Sequence, residues 1–248
     1  MTSTSFQWEF EETFRFPTLE FVIAILLIIA LTFTKPAWPF VALQPDAPSF
    51  ISRYVASILD LLIPVAMLFA AVLLTNTIAG GFERRETQLL LSYPVARSRL
   101  LLSQILPTYF VFFISLLCAG IILIIQITPL ALFSSVYLLL FAGLGFYVLF
   151  FISVITLIAV LLRNIKASSI IAILFVFGIS FGLNSMIMRF PPGFLSTMIT
   201  TYFEVFISDS TYYSSINVPF GPVLISYIIT TVVALIISWL FYSKFMEV

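Results

Sequence analysis

Residues 130–162 read LALFSSVYLLLFAGLGFYVLFFISVITLIAVLL and contain no Asp, Glu, Lys or Arg. A helix needs about 20 apolar residues to cross the hydrocarbon core of a bilayer, because unpaired backbone groups cannot be left in lipid. This run therefore predicts a membrane-spanning helix. Gly143 and Gly145 within it allow a bend or a close contact with another helix. A split into two crossings would leave each half too short.

Five further apolar runs lie on either side of this one, at residues 19–34, 55–79, 102–125, 168–186 and 222–242. Hydrophobic residues make up 62% of the 248 residues and charged residues only 9%, with a mean hydropathy of +1.19. A soluble domain carries about 25% charged residues. The runs are continuously apolar and lack the alternation of a membrane β-strand. We therefore expect an all-α membrane protein with six transmembrane helices.

Lysine and arginine are unequally divided between the two sides of this six-helix arrangement. Both termini lie on one side, and that side has Arg15, Arg84, Arg85, Arg97, Arg99, Arg163, Lys166 and Lys244. The opposite side has only Lys35, Arg53 and Arg189. Because Lys and Arg are retained in cytoplasmic loops, we expect a multi-pass protein of the plasma membrane with both termini in the cytoplasm.

The composition excludes several classes of function. Lys and Arg number 11, Asp and Glu number 11, histidine is absent and Cys118 is the only cysteine. A balanced charge argues against nucleic-acid binding, and the missing residue types argue against metal clusters, haem ligation and Ser-His or Cys-His catalysis. No GxxxxGK[ST] phosphate loop occurs. We expect a chain that is not an enzyme and binds no cofactor, with any ATP handled by another chain.

Two segments outside the apolar runs are amphipathic or aromatic. Residues 1–18 include FQWEFEETFRF at 6–16, in which phenylalanines recur every four residues, and this pattern predicts an interfacial helix preceding the transmembrane domain of residues 19–248. A frayed tail is the alternative. The external segment 187–219 has only three charges and many aromatic residues, which predicts re-entrant or interfacial helices, with 195–207 the best candidate.

The loop at residues 80–100, GGFERRETQLLLSYPVARSRL, is the most polar stretch on the cytoplasmic side. Gly80 and Gly81 can end the preceding helix. Residues 83–92 can form a short helix with its leucines turned to the membrane, and Pro94 forces a turn. Alternatively, the charges only hold the loop at the lipid headgroups.

At this loop the chain resembles the permease subunits of ABC-2 type transporters. The matching residues are Glu83-Arg84-Arg85 followed by Gln88-Leu89-Leu90-Leu91-Ser92-Tyr93-Pro94-Val95-Ala96-Arg97. The six-helix layout and the amphipathic and external segments are also similar to that family. The resemblance implies an ABC-2 type permease fold and a coupling helix that docks on a separate ATP-hydrolysing subunit.

The resemblance further implies a function and its residues. The chain would be the transmembrane subunit of an exporter that works by alternating access, as a homodimer or with a sister permease, driven by two ATPase chains that bind ATP and magnesium. The implied ATPase-coupling residues are Glu83, Arg84, Arg85, Glu86, Gln88, Pro94, Arg97 and Arg99. Arg163 and Lys166 either add a second contact or only follow the distribution of positive charge. The alternative function is a stand-alone membrane binding, scaffold or assembly protein, which would not require this loop.

Asp60 and Asn76 are the candidates for a substrate path within the apolar runs. Asp60 is the only acidic residue in the uncharged part of any run, and an ionisable group inside a membrane is a functional candidate. It lies seven residues from Arg53, about 10 Å along a helix, so it could instead reach interfacial water or pair with that arginine. Asn76 and its neighbour Thr75 lie nearer the cytoplasmic end. Ser115, Thr156 and Asn184 are isolated polar groups, which more often hydrogen-bond between helices than bind substrate.

Overall fold

A computed structural model describes residues 18–34, 48–84, 97–127, 135–183, 194–199 and 220–245, and all regular structure in these ranges is helical. The helices are α1 (Thr18–Thr34), α2 (Pro48–Leu74, continuing through Thr75–Ala79 and Gly80–Glu83), α3 (Arg97–Ile127), α4 (Ser135–Leu162), α5 (Ile165–Phe177, continuing through Gly178–Leu183), α6 (194–199) and α7 (Phe220–Phe245). The segments Thr75–Ala79 and Gly178–Leu183 are π-helical turns.

Four helices among the described residues are long and apolar enough to cross a membrane. These stretches are Tyr54–Glu83 in α2, Leu100–Gln126 in α3, Val136–Leu162 in α4 and Leu224–Ser243 in α7. The apolar parts of α1 and α5, Glu20–Ile29 and Ile165–Ser180, are shorter. The expectation of a helical membrane protein is therefore confirmed, and helices occur at all six predicted positions.

Helix α4 is at the centre of the bundle, where it packs against α2, α3, α5 and α7. It is unbroken from Ser135 to Leu162, so neither of its glycines splits it. Both glycines instead allow close approach, as predicted. Gly145 faces the rings of Phe113 and Tyr109 on α3, where an added Cβ would lie 3.0 and 3.3 Å from their nearest atoms. Small residues at such contacts are typical of membrane helix packing.

The end of α2 differs from the sequence prediction. Gly80 and Gly81 do not end the helix, which continues through both to Glu83. Gly80 has φ −63° and ψ −40°, and it is buried against Ile165 of α5. Packing of α2 on α5 therefore outweighs the intrinsic tendency of glycine to leave a helix, a cost of about 1 kcal/mol.

Several predicted segments lie outside the described residues. They include the interfacial helix at 6–16, the loop residues 85–96 and most of the external segment 187–219. Within that external segment, residues 194–199 form a helix, which overlaps the start of the predicted helix 195–207.

Candidate functional site

Helix α2 carries two carboxylates in its apolar stretch Tyr54–Glu83, Asp60 six residues from the start of the stretch and Glu83 at its end. Asp60 and Glu83 are 23 residues apart on one continuous helix. At 1.5 Å per residue their backbones are separated by about 34 Å, close to the thickness of a bilayer core. Each carboxylate accepts hydrogen bonds from the first turn of another helix, so α2 is tied to other parts of the bundle at both ends.

At one end, Asp60 caps the short helix α6. Its Oδ1 accepts a hydrogen bond from the backbone N–H of Leu195 at 3.0 Å, and its Oδ2 accepts one from the backbone N–H of Ser196 at 2.9 Å. The Ser196 hydroxyl also donates to Oδ2, at 2.7 Å. The first N–H groups of a helix have no partner within the helix and favour negative charge nearby. Asp60 therefore supplies the acceptor that α6 lacks.

The opposite side of α6 fits into a notch on α4. An added Cβ at Gly143 would contact the Met198 side chain, with its Sδ only 2.7 Å away, and would lie 3.3 Å from Leu195 Cδ2. Only the absence of a side chain at Gly143 lets α6 approach this closely. Leu195 and Ile199 are fully buried as a result.

Aromatic rings complete the surroundings of α6. The Phe194 ring stacks on Tyr147 of α4, with centroids 4.8 Å apart, and lies 5.2 Å from the Tyr227 ring of α7. Tyr147 and Tyr227 are themselves in edge contact at 5.7 Å. Helix α6 is thus held between α2, α4 and α7, by hydrogen bonds on one side and apolar packing on the others.

At the other end of α2, Glu83 caps helix α5. Its Oε2 accepts a hydrogen bond from the backbone N–H of Ile165 at 3.0 Å, while Asn164 Oδ1 accepts one from the N–H of Ala167 at 3.0 Å. Two side chains from different segments therefore satisfy the first turn of α5. Glu83 remains exposed to solvent. The sequence predicted Glu83 as a contact for another subunit, and the structure adds this contact within the chain.

The connection between α4 and α5 packs on the same end of α2. Arg163 adopts a positive φ of 52°, which turns the chain between the two helices. Its guanidinium lies 5.9 Å from the centroid of Phe82, and the Phe82 ring is in edge contact with Tyr242 of α7 at 5.6 Å. Lys166 is exposed beside this contact. The Glu83 end of α2 therefore touches the α4–α5 connection and α7.

Between the two ends, a hydroxyl pair joins α2 and α5. Thr75 Oγ1 lies 2.7 Å from Ser169 Oγ, and it also donates to the Ala71 carbonyl at 2.7 Å. The sequence predicted interhelical hydrogen bonds for Ser115 and Thr156 rather than for Thr75, and the Ser115 hydroxyl donates to the Val111 carbonyl of its own helix at 2.7 Å. Thr156 of α4 is fully buried, and its hydroxyl has no hydrogen-bond partner among the described residues.

The predicted site residues are distributed as follows. Arg84 is the exposed residue at the end of α2, and Asn76 is exposed on the π-helical turn. Arg97 and Arg99 lie in the first turn of α3, and the structure does not describe their side chains. Arg85, Glu86, Gln88 and Pro94 lie outside the described residues. Within the described ranges, no three His, Cys, Asp or Glu side chains form a group that could hold a metal ion.

Sequence reasoning missed the partners of Asp60. Ser196, Gly143 and Met198 were not singled out, although a signal for the cap was present. Residues 191–193, which precede α6 in the sequence, are Pro-Pro-Gly, and none of them has a side-chain oxygen that could cap a helix. An acceptor from elsewhere in the chain was needed, and Asp60 is the acidic residue of the apolar runs.

The chain was also compared with known proteins. No family model matches it, and no curated protein does.

Proposed function

We propose that this protein is the transmembrane permease subunit of an ATP-driven ABC-2 type exporter. In this proposal two copies, or one copy and a sister permease, cross the plasma membrane six times each with their termini in the cytoplasm. Two separate ATPase subunits bind and hydrolyse ATP, and the permease moves substrate by alternating access.

The observation that carries the proposal is the motif at residues 83–97. It is similar to the coupling loop of the family in its Glu/Arg cluster, its leucine run and its Ser-x-Pro-Val-x-Arg ending. Support comes from the helices that flank it, because α2 ends at Glu83 and α3 begins at Arg97. A short loop fixed to two long apolar helices can pass a displacement from a soluble motor into the membrane.

The contacts of Glu83 and Phe82 extend this argument to further helices. The hydrogen bond from the Ile165 N–H to Glu83 joins the first residue of the motif at 83–97 to α5. Arg163 contacts the neighbouring Phe82. A force applied to the loop would then act on α2, α3 and α5 together rather than on one helix. The feature that favours a transporter over a stand-alone scaffold protein is the loop at residues 83–97, which a scaffold would not require.

The proposal is tested by purifying the protein from its native membrane in a mild detergent and measuring ATP hydrolysis. We expect magnesium-dependent hydrolysis to co-purify with the wild-type chain. The double variant Arg84→Glu/Arg85→Glu should lose more than nine-tenths of this activity, because charge reversal removes attraction to the ATPase surface. Surface substitutions cost within about 0.5 kcal/mol, so the variant should still fold.

A matched control is Glu20→Lys, which reverses an exposed charge in the first turn of α1, outside the loop 80–100 and outside the α4–α5 connection. It should retain most of the co-purifying hydrolysis. Absence of hydrolysis with the wild-type chain, or equal hydrolysis with the double variant, would contradict the proposed function.

A further inference from the structure

We propose that Asp60 is the positioning residue that keeps α6 seated at the Asp60 end of the bundle, and that movement of α2 releases α6. The role in transport rests on the proposed function, in which this end faces the exterior. The seating of α6 by Asp60 does not depend on the proposed function and can be measured on the permease alone.

Different kinds of contact hold α6 on its different sides. The three bonds to Asp60 are directional and short, from 2.7 to 3.0 Å. On the other side, Met198 and Leu195 pack in the notch at Gly143, and Phe194 stacks on Tyr147. Apolar packing has no preferred direction and tolerates sliding, whereas a hydrogen bond does not. Asp60 therefore fixes the position of α6 within a groove that would otherwise permit movement.

The three hydrogen bonds to Asp60 are sensitive to movement of α2. An N–H···O bond is effectively lost beyond about 3.5 Å, so a shift of about 1 Å breaks all three. Conformational changes at helix interfaces commonly involve shifts of about 1–2 Å. A small displacement of α2 is therefore enough to release α6 from its cap.

The displacement would begin on the same helix, at the Glu83 end of α2. Asp60 and Glu83 share α2, which is helical without interruption between them. A displacement of the Glu83 end is passed along α2 to Asp60, apart from any yielding at the π-helical turn Thr75–Ala79 and at Pro64, which has no N–H to bond the Asp60 carbonyl four residues earlier. The cap on α6 is thus a release point for movement that begins about 34 Å away.

The experiment measures the exposure of a cysteine at position 198. Met198 is only 6% exposed, so a Met198→Cys variant in a Cys118→Ala background reports whether α6 is seated. The purified permease in lipid vesicles is treated with a sulfonated, membrane-impermeant maleimide. With Asp60 intact, labelling should be slow. With Asp60→Ala it should be at least tenfold faster, and with Asp60→Asn, which keeps one oxygen acceptor, it should fall between the two.

The matched control is Ser57→Ala, one helical turn from Asp60 on α2. The Ser57 hydroxyl is exposed and bonds only to the Tyr54 carbonyl of its own helix in the described structure, so its loss should leave labelling unchanged. If Asp60→Ala does not yield folded protein, Ser196→Ala decides the matter, since it deletes one of the three bonds and should raise labelling about threefold. Labelling at the Asp60-intact rate in the folded variants would overturn the proposal.

A second arm tests release during the transport cycle. ATP with orthovanadate, which arrests an ATPase after hydrolysis, is added to the complex of the Met198→Cys permease with its ATPase. Labelling should rise at least fivefold over the nucleotide-free complex. An unchanged rate would overturn the role of α6 in the cycle. If no ATPase complex exists, the proposed function fails, while the first arm still decides whether Asp60 seats α6.

Discussion

Asp60 and Ser196 are joined by two hydrogen bonds to a single carboxylate oxygen, one from the backbone N–H and one from the hydroxyl of the serine. With Leu195 bound to the second oxygen, both oxygens of Asp60 have partners within the chain. A carboxylate whose two oxygens both accept hydrogen bonds from α6 serves as a structural cap for that helix. A role for Asp60 or Asn76 in a substrate path stays a prediction, and for Asp60 it would require release of α6.

The notch at Gly143 predicts a specific pair of compensating substitutions. Gly143→Val should lower the midpoint of thermal unfolding by several degrees, because the added methyl groups would occupy the space of Met198. The smaller change Gly143→Ala should be partly relieved by Met198→Ala, since a shorter side chain leaves room for the new Cβ. The double-mutant cycle is measured by thermal unfolding in detergent, and a coupling energy of about 1 kcal/mol is expected. Strict additivity of the two single changes would show that α6 does not pack against Gly143.

Glu83 provides a second prediction, on local stability rather than on association. Glu83→Ala removes the acceptor for the Ile165 N–H, and loss of a cap typically costs about 1 kcal/mol. Hydrogen exchange of the Ile165 amide should therefore accelerate about fivefold. Glu83→Gln keeps an oxygen acceptor and should exchange nearly as slowly as the wild type. Equal exchange in the alanine variant and the wild type would mean that Asn164 alone caps α5.

The six-crossing topology predicts labelling from opposite sides of the membrane. Single cysteines at Ser92 and Ser208, in a Cys118→Ala background, should react with an impermeant maleimide from opposite faces of sealed vesicles. The reason is that residues 92 and 208 belong to the loop 80–100 and to the segment 187–219, which the positive-inside rule assigns to opposite sides. Labelling from one face only would remove the six-crossing model and the coupling argument with it.

Pro94 predicts a loss of coupling without a loss of binding. Proline fixes φ near −65° and keeps the preceding residue out of the helical region, so it provides a stiff corner between the coupling segment and α3. Pro94→Ala should leave ATPase pull-down at wild-type yield while transport per ATP hydrolysed falls about threefold or more. The measurement uses the reconstituted complex. Unchanged coupling together with unchanged binding would show that Pro94 is an ordinary loop residue.

Local sequence patterns were enough to predict the class of the protein and the placement of its helices. Apolar runs at 55–79, 102–125 and 222–242 correspond to α2, α3 and α7, and the run at 130–162 contains the unbroken α4. These features are local, because a helix satisfies its own backbone four residues away and each apolar side chain favours lipid independently of its neighbours.

The tertiary structure decided where α2 ends and what its two carboxylates do. The partners of Asp60 lie 135 and 136 residues away along the chain, and the partner of Glu83 lies 82 residues away. Neither the periodicity nor the composition of the sequence shows which residues so far apart along the chain will meet. The packing of Gly80 on Ile165 also reversed the local expectation that glycine ends the helix. A hydrogen bond requires atoms within about 3 Å, and only the packed bundle brings these groups that close.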